Sequence, residues 1–167
     1  NGITYVNAYF DLHGLTQEEI SYVYLLSDLL GDMDTKKHTY GELASLIDLY
    51  TGGIDYAVSA FSDCEDNTSY MPVFKMTAKV LSQNLPELIR LLREITKDTQ
   101  FTNGDRLIEL VEEAKAGWDM DAFRRGHTLV MHRVLSYVSP VEGFCDAGEF
   151  SYYEFISQIA ARIRTET

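Results

Sequence analysis

The sequence predicts an α+β fold built on an antiparallel sheet, because its elements follow the order β-α-α-β-β-α-α-α-α. Three segments show the two-residue periodicity of a half-buried strand, and six show the three- and four-residue spacing of an amphipathic helix. Strands and helices do not alternate along the chain as they do around a parallel sheet. A chain of 167 residues with 46% hydrophobic content can fill one domain core. We therefore expect residues 1–167 to form a single α+β module.

The first strand and the two helices after it have clear boundaries. Apolar side chains alternate with polar ones over residues 3–12. Each of the next two helices is predicted to begin with a capping box, in which a Thr side chain and a Glu three residues later satisfy first-turn N–H groups. The boxes pair Thr16 with Glu19 and Thr39 with Glu42. The pair Gly52-Gly53 predicts the end of the second helix.

Two further strand patterns cover residues 54–62 and 73–80. The polar stretch 63–69 between them predicts a hairpin loop that is longer than a tight turn. A sheet of three strands leaves edges to cover, so we expect additional strands outside this chain.

The second half of the chain is predicted to be helical. Asn84 is the expected N-cap of the first helix, and a second helix follows over residues 107–118. Ser139-Pro140 should break the third, and a capping box of Ser151 with Glu154 should begin the last. The apolar stripe of the third helix consists of Met120, Phe123, His127, Val130, Val134 and Tyr137.

Charge and composition exclude several classes of partner. The formal net charge is −12, and residues 1–74 hold 12 acidic side chains against only Lys36 and Lys37. Such a surface does not suit nucleic acid or an anionic membrane, and no apolar run approaches the ~18 residues of a membrane span. We expect reduced thiols at Cys64 and Cys145, and a cytoplasmic protein with no nucleic-acid or membrane partner. Because the chain begins with Asn1 and a strand, we expect a fragment of a longer polypeptide.

The residues that could carry chemistry form no catalytic pattern. The sequence has no G-x-S-x-G, P-loop or G-x-G-x-x-G motif. His127 and His132 lie about 140° apart around a helix axis and cannot chelate one ion from one face. His127 on its apolar stripe indicates a core or interface histidine, whereas His13 and His38 fit loop positions.

The acidic side chains give no site either. Adjacent pairs at 18–19 and 112–113 point about 100° apart on their helices and are expected to be solvated. The acidic stretch 63–67 lacks the spacing of a calcium-binding loop. We therefore predict no catalytic, cofactor-binding or metal-binding residue in this chain.

Several segments together resemble one family. They are N-G-I-T-Y at residues 1–5, Y-F-D-L at 9–12, Y-G-E-L at 40–43, Y-T-G-G-I at 50–54, Gly126-His127, and S-Y-Y-E-F-I at 151–156. The chain is similar to the insulinase (pitrilysin-type) zinc metallopeptidases, in the branch of the presequence proteases and falcilysin. Within that branch it resembles the region after the helical linker, which is most of the third of four homologous modules.

The resemblance implies an antiparallel sheet with helices packed on one face, in a module that is incomplete here. It implies a peptide-degrading parent enzyme whose halves close around a chamber, with this module as part of the wall. The family's zinc is held by an H-x-x-E-H helix in the first module, and that motif is missing from this sequence. Zinc is therefore expected in the parent enzyme and not in this chain. The expected partners are the other modules of the polypeptide and a peptide substrate, with basic peptides favoured by the acidic field.

Two alternatives stay open. The chain could belong to a structural relative without protease activity, of the kind found in the core subunits of respiratory complexes. It could also be a stand-alone peptide-binding module, which would require a start codon just before Asn1. An H-x-x-E-H motif about one half-protein upstream would distinguish the protease from the structural relative.

Overall fold

The computed structural model describes residues 2–62 and 69–166 of the chain. Its elements are β1 (Ile3–Asp11), α1 (Gln17–Leu29), α2 (Tyr40–Tyr50), β2 (Ile54–Ser62), β3 (Tyr70–Leu81), a 3₁₀ turn (Ser82–Asn84), α3 (Leu85–Asp98), α4 (Gly104–Leu135), α5 (Pro140–Asp146), a π-helical segment (Ala147–Ser151) and α6 (Tyr152–Glu166). The predicted α+β class and element order are confirmed. The predicted loop at 63–69 and the acidic stretch 63–67 lie almost wholly outside the described residues.

The three strands form one antiparallel sheet with β3 in the centre. β1 pairs with β3 from Ile3 opposite Leu81 to Asp11 opposite Val73. β2 pairs with the other edge of β3, from Ile54 opposite Ala78 to Ser62 opposite Tyr70. This register places the even-numbered side chains of β3 on the face that the helices cover, and these side chains are buried: Phe74, Met76, Ala78 and Val80.

The main core lies between the sheet and the helices. Leu43 of α2 and Leu91 and Ile95 of α3 are fully buried there, in one cluster with Phe74 and Met76 of the sheet. Helices therefore pack on one face of the sheet, as expected.

A second apolar layer joins α1 to the C-terminal helices. Val111 of α4 packs with Tyr152 and Ile156 of α6, and Leu29 of α1 packs with Leu110 of α4. Helix α1 thus contacts the sheet on one side and α4 and α6 on the other.

Two capping boxes are confirmed and one is wrong. Thr16 and Thr39 each accept a hydrogen bond from the backbone N–H of the Glu three residues later, and that Glu caps in return. Ser151 is not a helix start, because it lies in the π-helical segment inside a helical run that begins at Pro140. The N-cap of that run is Ser139, whose hydroxyl accepts from the N–H of Glu142, with Pro140 at the first helical position.

The four C-terminal helices are also divided differently from the prediction. The two helices expected over 107–137 are one helix of 32 residues with a local distortion at Arg125, where φ is −116° and ψ is 21°. No proline interrupts the segment, so the helical hydrogen bonds continue past Trp118. Asn84 precedes α3 as expected, but its side chain donates to the carbonyl of Tyr50 and does not cap the helix.

The stripe predicted from Met120 to Tyr137 is exposed, although its spacing indicated a buried helix face. Phe123 is 93% exposed and Tyr137 is 82% exposed. His127 is exposed as well, so it is not a core histidine of this chain. No described helix is both long and apolar enough to cross a lipid bilayer.

Candidate functional site: an acidic cleft between two helices

A cleft of about 350 Å³ opens between α1 and α4. It forms where the C-terminal half of α1 and the loop after it face the first turns of α4. A neighbouring cleft of about 300 Å³ shares Asp28 and Ala114 with it and adds Trp118 and Asp121. The first cleft is lined by Asp28, Asp32, Arg106, Leu110, Glu113 and Ala114. Carboxylates therefore outnumber cations along this groove.

Asp28 projects from α1 toward the last helix. Its Oδ2 accepts a hydrogen bond of 2.6 Å from the hydroxyl of Tyr152. Burial raises the pKa of Asp28, and the hydrogen bond from Tyr152 offsets part of that rise. The Tyr152 ring is itself buried against Tyr24 and Trp118, so packing of the second apolar layer holds this carboxylate in place.

Arg106 is the cation at one end of the cleft. Its Nε donates to the backbone carbonyl of Asp32 at 3.1 Å, and its Nη1 lies 2.7 Å from Oε2 of Glu109. The guanidinium also lies 4.3 Å from the centre of the Tyr40 ring. These contacts fix the guanidinium with its charge matched by Glu109, so Asp28 and Glu113 are not neutralised by it.

Asp32 has a more ambiguous environment. Burial raises the pKa of its carboxyl, Arg106 lowers it and Glu113 raises it, with a net rise. The nearest Arg106 nitrogen is 4.0 Å from Oδ1 of Asp32, which is a weak ion pair. A basic side chain entering the cleft would therefore meet carboxyl groups that gain from a cation.

The histidines do not converge on one another. Nδ1 of His13 lies 2.6 Å from Oδ1 of Asp11, and Nδ1 of His38 lies 2.7 Å from Oε1 of Glu94. His132 lies beside the π-helical segment, with Nδ1 3.2 Å from Oε2 of Glu149. Each of these contacts is an ion pair with a carboxylate on its own part of the fold.

Metal ligands are not assembled in the part of the chain that the structure describes. No group of three or more His, Cys, Asp or Glu side chains there is placed to hold an ion. The residues therefore do not fit the zinc that the resemblance implies for the parent enzyme. That the chain binds no zinc stays a prediction.

Cys145 is a free cysteine in α5. Burial raises the pKa of its thiol, and the nearby carboxylates of Glu142 and Glu149 raise it further. The thiol form is thus favoured, which makes Cys145 a poor nucleophile. Cys64 lies outside the described residues.

The sequence analysis missed the cleft because its carboxylates come from distant segments. Glu113 was expected on a solvated face, and it is exposed, but it faces Asp28 and Asp32 across the groove. Of the acidic pair at 18–19, Glu19 belongs to the α1 capping box. The available signal was the excess of acidic residues in positions 1–74, which did not indicate where they would meet.

The fold and the comparisons with known proteins define the class of protein, a peptidase-associated α+β module. The family of peptidase-associated regions that accompanies metallopeptidase family 16, subfamily C, matches residues 1–159, and the chain belongs to it. This confirms the insulinase-type, presequence-protease-like resemblance.

Curated relatives agree with the family. The chain is 31% identical to Protein HypA of Clostridium perfringens over its whole length, which is 17% of that protein. It is 31% identical to the mitochondrial presequence protease of Yarrowia lipolytica over 97% of this chain and 16% of the relative. For the Drosophila melanogaster presequence protease the identity is 30%, over 89% and 14%. The chain thus spans about a sixth of the length of these relatives.

Proposed function

We propose that this chain is a non-catalytic module of an insulinase-type zinc peptidase that degrades peptides. One observation carries the proposal: a chain that belongs to a peptidase-associated family has no H-x-x-E-H motif in its sequence. Peptide hydrolysis by zinc needs a metal-activated water and a general base. Both would come from another part of the polypeptide, and zinc would be bound there.

The module's role would be to form part of the wall of a chamber that encloses the peptide. The layered arrangement supports this role, because a sheet with helices on one face is a rigid slab that can carry a surface. In the described residues, the α1–α4 cleft is the feature best suited to contact a peptide, since it presents Asp28, Asp32 and Glu113 in one groove. We infer that basic segments of a peptide are favoured there by the local negative field.

The cleavage assay of the full-length enzyme tests this role. Its variants are Asp28→Asn and Glu113→Gln, each of which removes one negative charge from the cleft. Asp55→Asn, on the exposed face of β2, removes the same charge elsewhere and is the control. A basic and an acidic peptide of equal length are compared at two ionic strengths.

We expect the cleft variants to raise KM for the basic peptide at low salt, with kcat, the acidic peptide and Asp55→Asn unaffected. The difference should shrink as the Debye length falls to about 8 Å at ~0.15 M salt. Equal handling of both peptides by the unmodified enzyme at low salt would contradict the electrostatic part. A full-length chain without chelator-sensitive cleavage would instead support the structural relative without protease activity.

The cytoplasmic location stays a prediction. Several relatives are named as mitochondrial proteins, among them those of Yarrowia lipolytica and Drosophila melanogaster. Fractionation of cells that express the full-length protein would determine its compartment.

A further inference from the structure

The C-terminal half of α4 carries a row of residues with the spacing of a helix–helix seam. Their positions advance by steps of three and four residues, as along the contact line between two packed helices. Five of them lie on α4, and the sixth lies in the turn directly after it. We name this row the outer stripe: Met120, Phe123, His127, Val130, Val134 and Tyr137.

The outer stripe is uncovered in the described part of the chain. Phe123 is 93% exposed and Val130 is 63% exposed. In the N-terminal half of the same helix, by contrast, Leu110 and Val111 are buried against α1 and α6. One helix thus has a covered apolar side at its start and a bare one at its end.

The side of α4 that faces the rest of the chain in this half is polar. His132 lies beside Glu149, and Nε of Arg133 donates to Oδ1 of Asp146 at 2.8 Å. The usual arrangement of an amphipathic helix, with its apolar side toward its own domain, is reversed here. A row of large exposed apolar side chains marks an interaction surface.

We propose that the outer stripe docks an amphipathic helix from another region of the same polypeptide. The inference rests on the proposed function, in which this chain is one module of a longer protein. The relatives are about six times as long as this chain, so most of such a polypeptide lies outside residues 1–167. A tethered helix acts at an effective concentration on the order of millimolar, which a second copy does not reach in dilute solution.

The pattern also specifies the partner's chemistry. The partner helix carries apolar residues at steps of three and four, so that they interdigitate with the outer stripe. Arg124 flanks the stripe between Phe123 and His127 and is exposed, so an acidic residue is expected opposite it. The partner is therefore apolar along its seam and acidic beside it.

Photo-crosslinking of the full-length protein tests the proposal. Phe123 is replaced by p-benzoylphenylalanine, and Leu49 of α2, which is 68% exposed, is replaced in the same way as a control. We expect position 123 to form an intramolecular crosslink to a helical segment outside residues 1–167, and position 49 to give none to that segment. Val130→Glu should abolish the crosslink from position 123, whereas Leu49→Glu should leave its yield unchanged.

Each other outcome overturns the inference. Crosslinks between two copies, seen as a dimer in denaturing gels, would assign the stripe to self-association. A yield at position 123 no higher than at position 49 would show a solvent-exposed stripe. Peptide cleavage measured on the same samples separates the two proposals, since an active enzyme without the crosslink contradicts only the docking, and an inactive one with it contradicts only the peptidase function.

Discussion

Glu94 is a buried carboxylate that ties the loop after α1 to α3. Its side chain is fully buried, and its Oε1 accepts 2.7 Å hydrogen bonds from Oγ1 of Thr35 and Nδ1 of His38. Lys36 N–H donates to the carbonyl of Asp98 and extends the same junction. A buried charge of this kind persists only where partners compensate its lost hydration.

Glu94→Gln is expected to destabilise the fold in a pH-dependent way. Burial raises the pKa of Glu94, but the hydrogen bonds from His38 and Thr35 lower it more, so the net pKa is below 4.5. A lowered pKa contributes stability above the unfolded value, and this is lost as pH falls through the folded value. At pH 7 the variant should lose about 1–3 kcal/mol of unfolding free energy.

The measurement is denaturant unfolding at pH 7 and pH 3. Glu87→Gln on the exposed side of the same helix is the control and should change stability by less than ~0.5 kcal/mol. An equal loss at both pH values would show that the effect of Glu94→Gln is packing and not charge.

At the scale of elements, the capping residues separate true helix starts from sequence look-alikes. Thr39 and Ser151 have the same S/T-x-x-E pattern, but only Thr39 is an N-cap in the structure. Thr39→Ala should therefore cost about 0.5–2 kcal/mol, whereas Ser151→Ala should cost much less. Thermal unfolding of the two variants measures the difference, and an equal cost at both positions would contradict the assignment of the helix start at Pro140.

The π-helical segment is fitted to α1 through Gly148. A methyl group at this position would overlap the ring of Tyr24, which is stacked on Tyr152 with ring centres 5.5 Å apart. Gly148→Ala should destabilise the protein by about 1–3 kcal/mol, because overpacking forces the aromatic stack apart.

Gly143→Ala provides the matched control in the same helical run. A methyl group there meets only the carbonyl of Ser136, at 3.7 Å. The change should be neutral or stabilise the helix by roughly 0.5–1 kcal/mol. A comparable loss from both substitutions in thermal unfolding would contradict the specific contact between Gly148 and Tyr24.

At the scale of the whole molecule, the chemistry of a zinc peptidase has to come from outside this chain. We expect purified residues 1–167 to contain no stoichiometric zinc and to hydrolyse no peptide, because no H-x-x-E-H motif is present. Elemental analysis of the tag-free protein, together with a peptide cleavage assay with and without chelator, measures both. The full-length enzyme is the positive control, and a bound ion held by His132 or Cys145 would contradict this prediction.

Local patterns predicted most of the secondary structure. Alternation placed all three strands, and the Thr16 and Thr39 boxes gave two helix starts, because the groups involved are a few residues apart in the chain. Ser151 shows the limit of such patterns. A capping sequence has an effect only where the preceding residues leave the helix, and here they continue it.

The sequence by itself determined the class, the element order and the family of this protein, since periodicity and short motifs are local properties. Only the tertiary structure decided which surfaces meet. It joined Asp28 to Tyr152, 124 residues later, and brought Glu113 to the same cleft. It also left Phe123 and its stripe bare, although their spacing indicated burial. Amphipathic spacing specifies that a helix has an apolar side, but the partner that covers that side is fixed by the packing of distant segments.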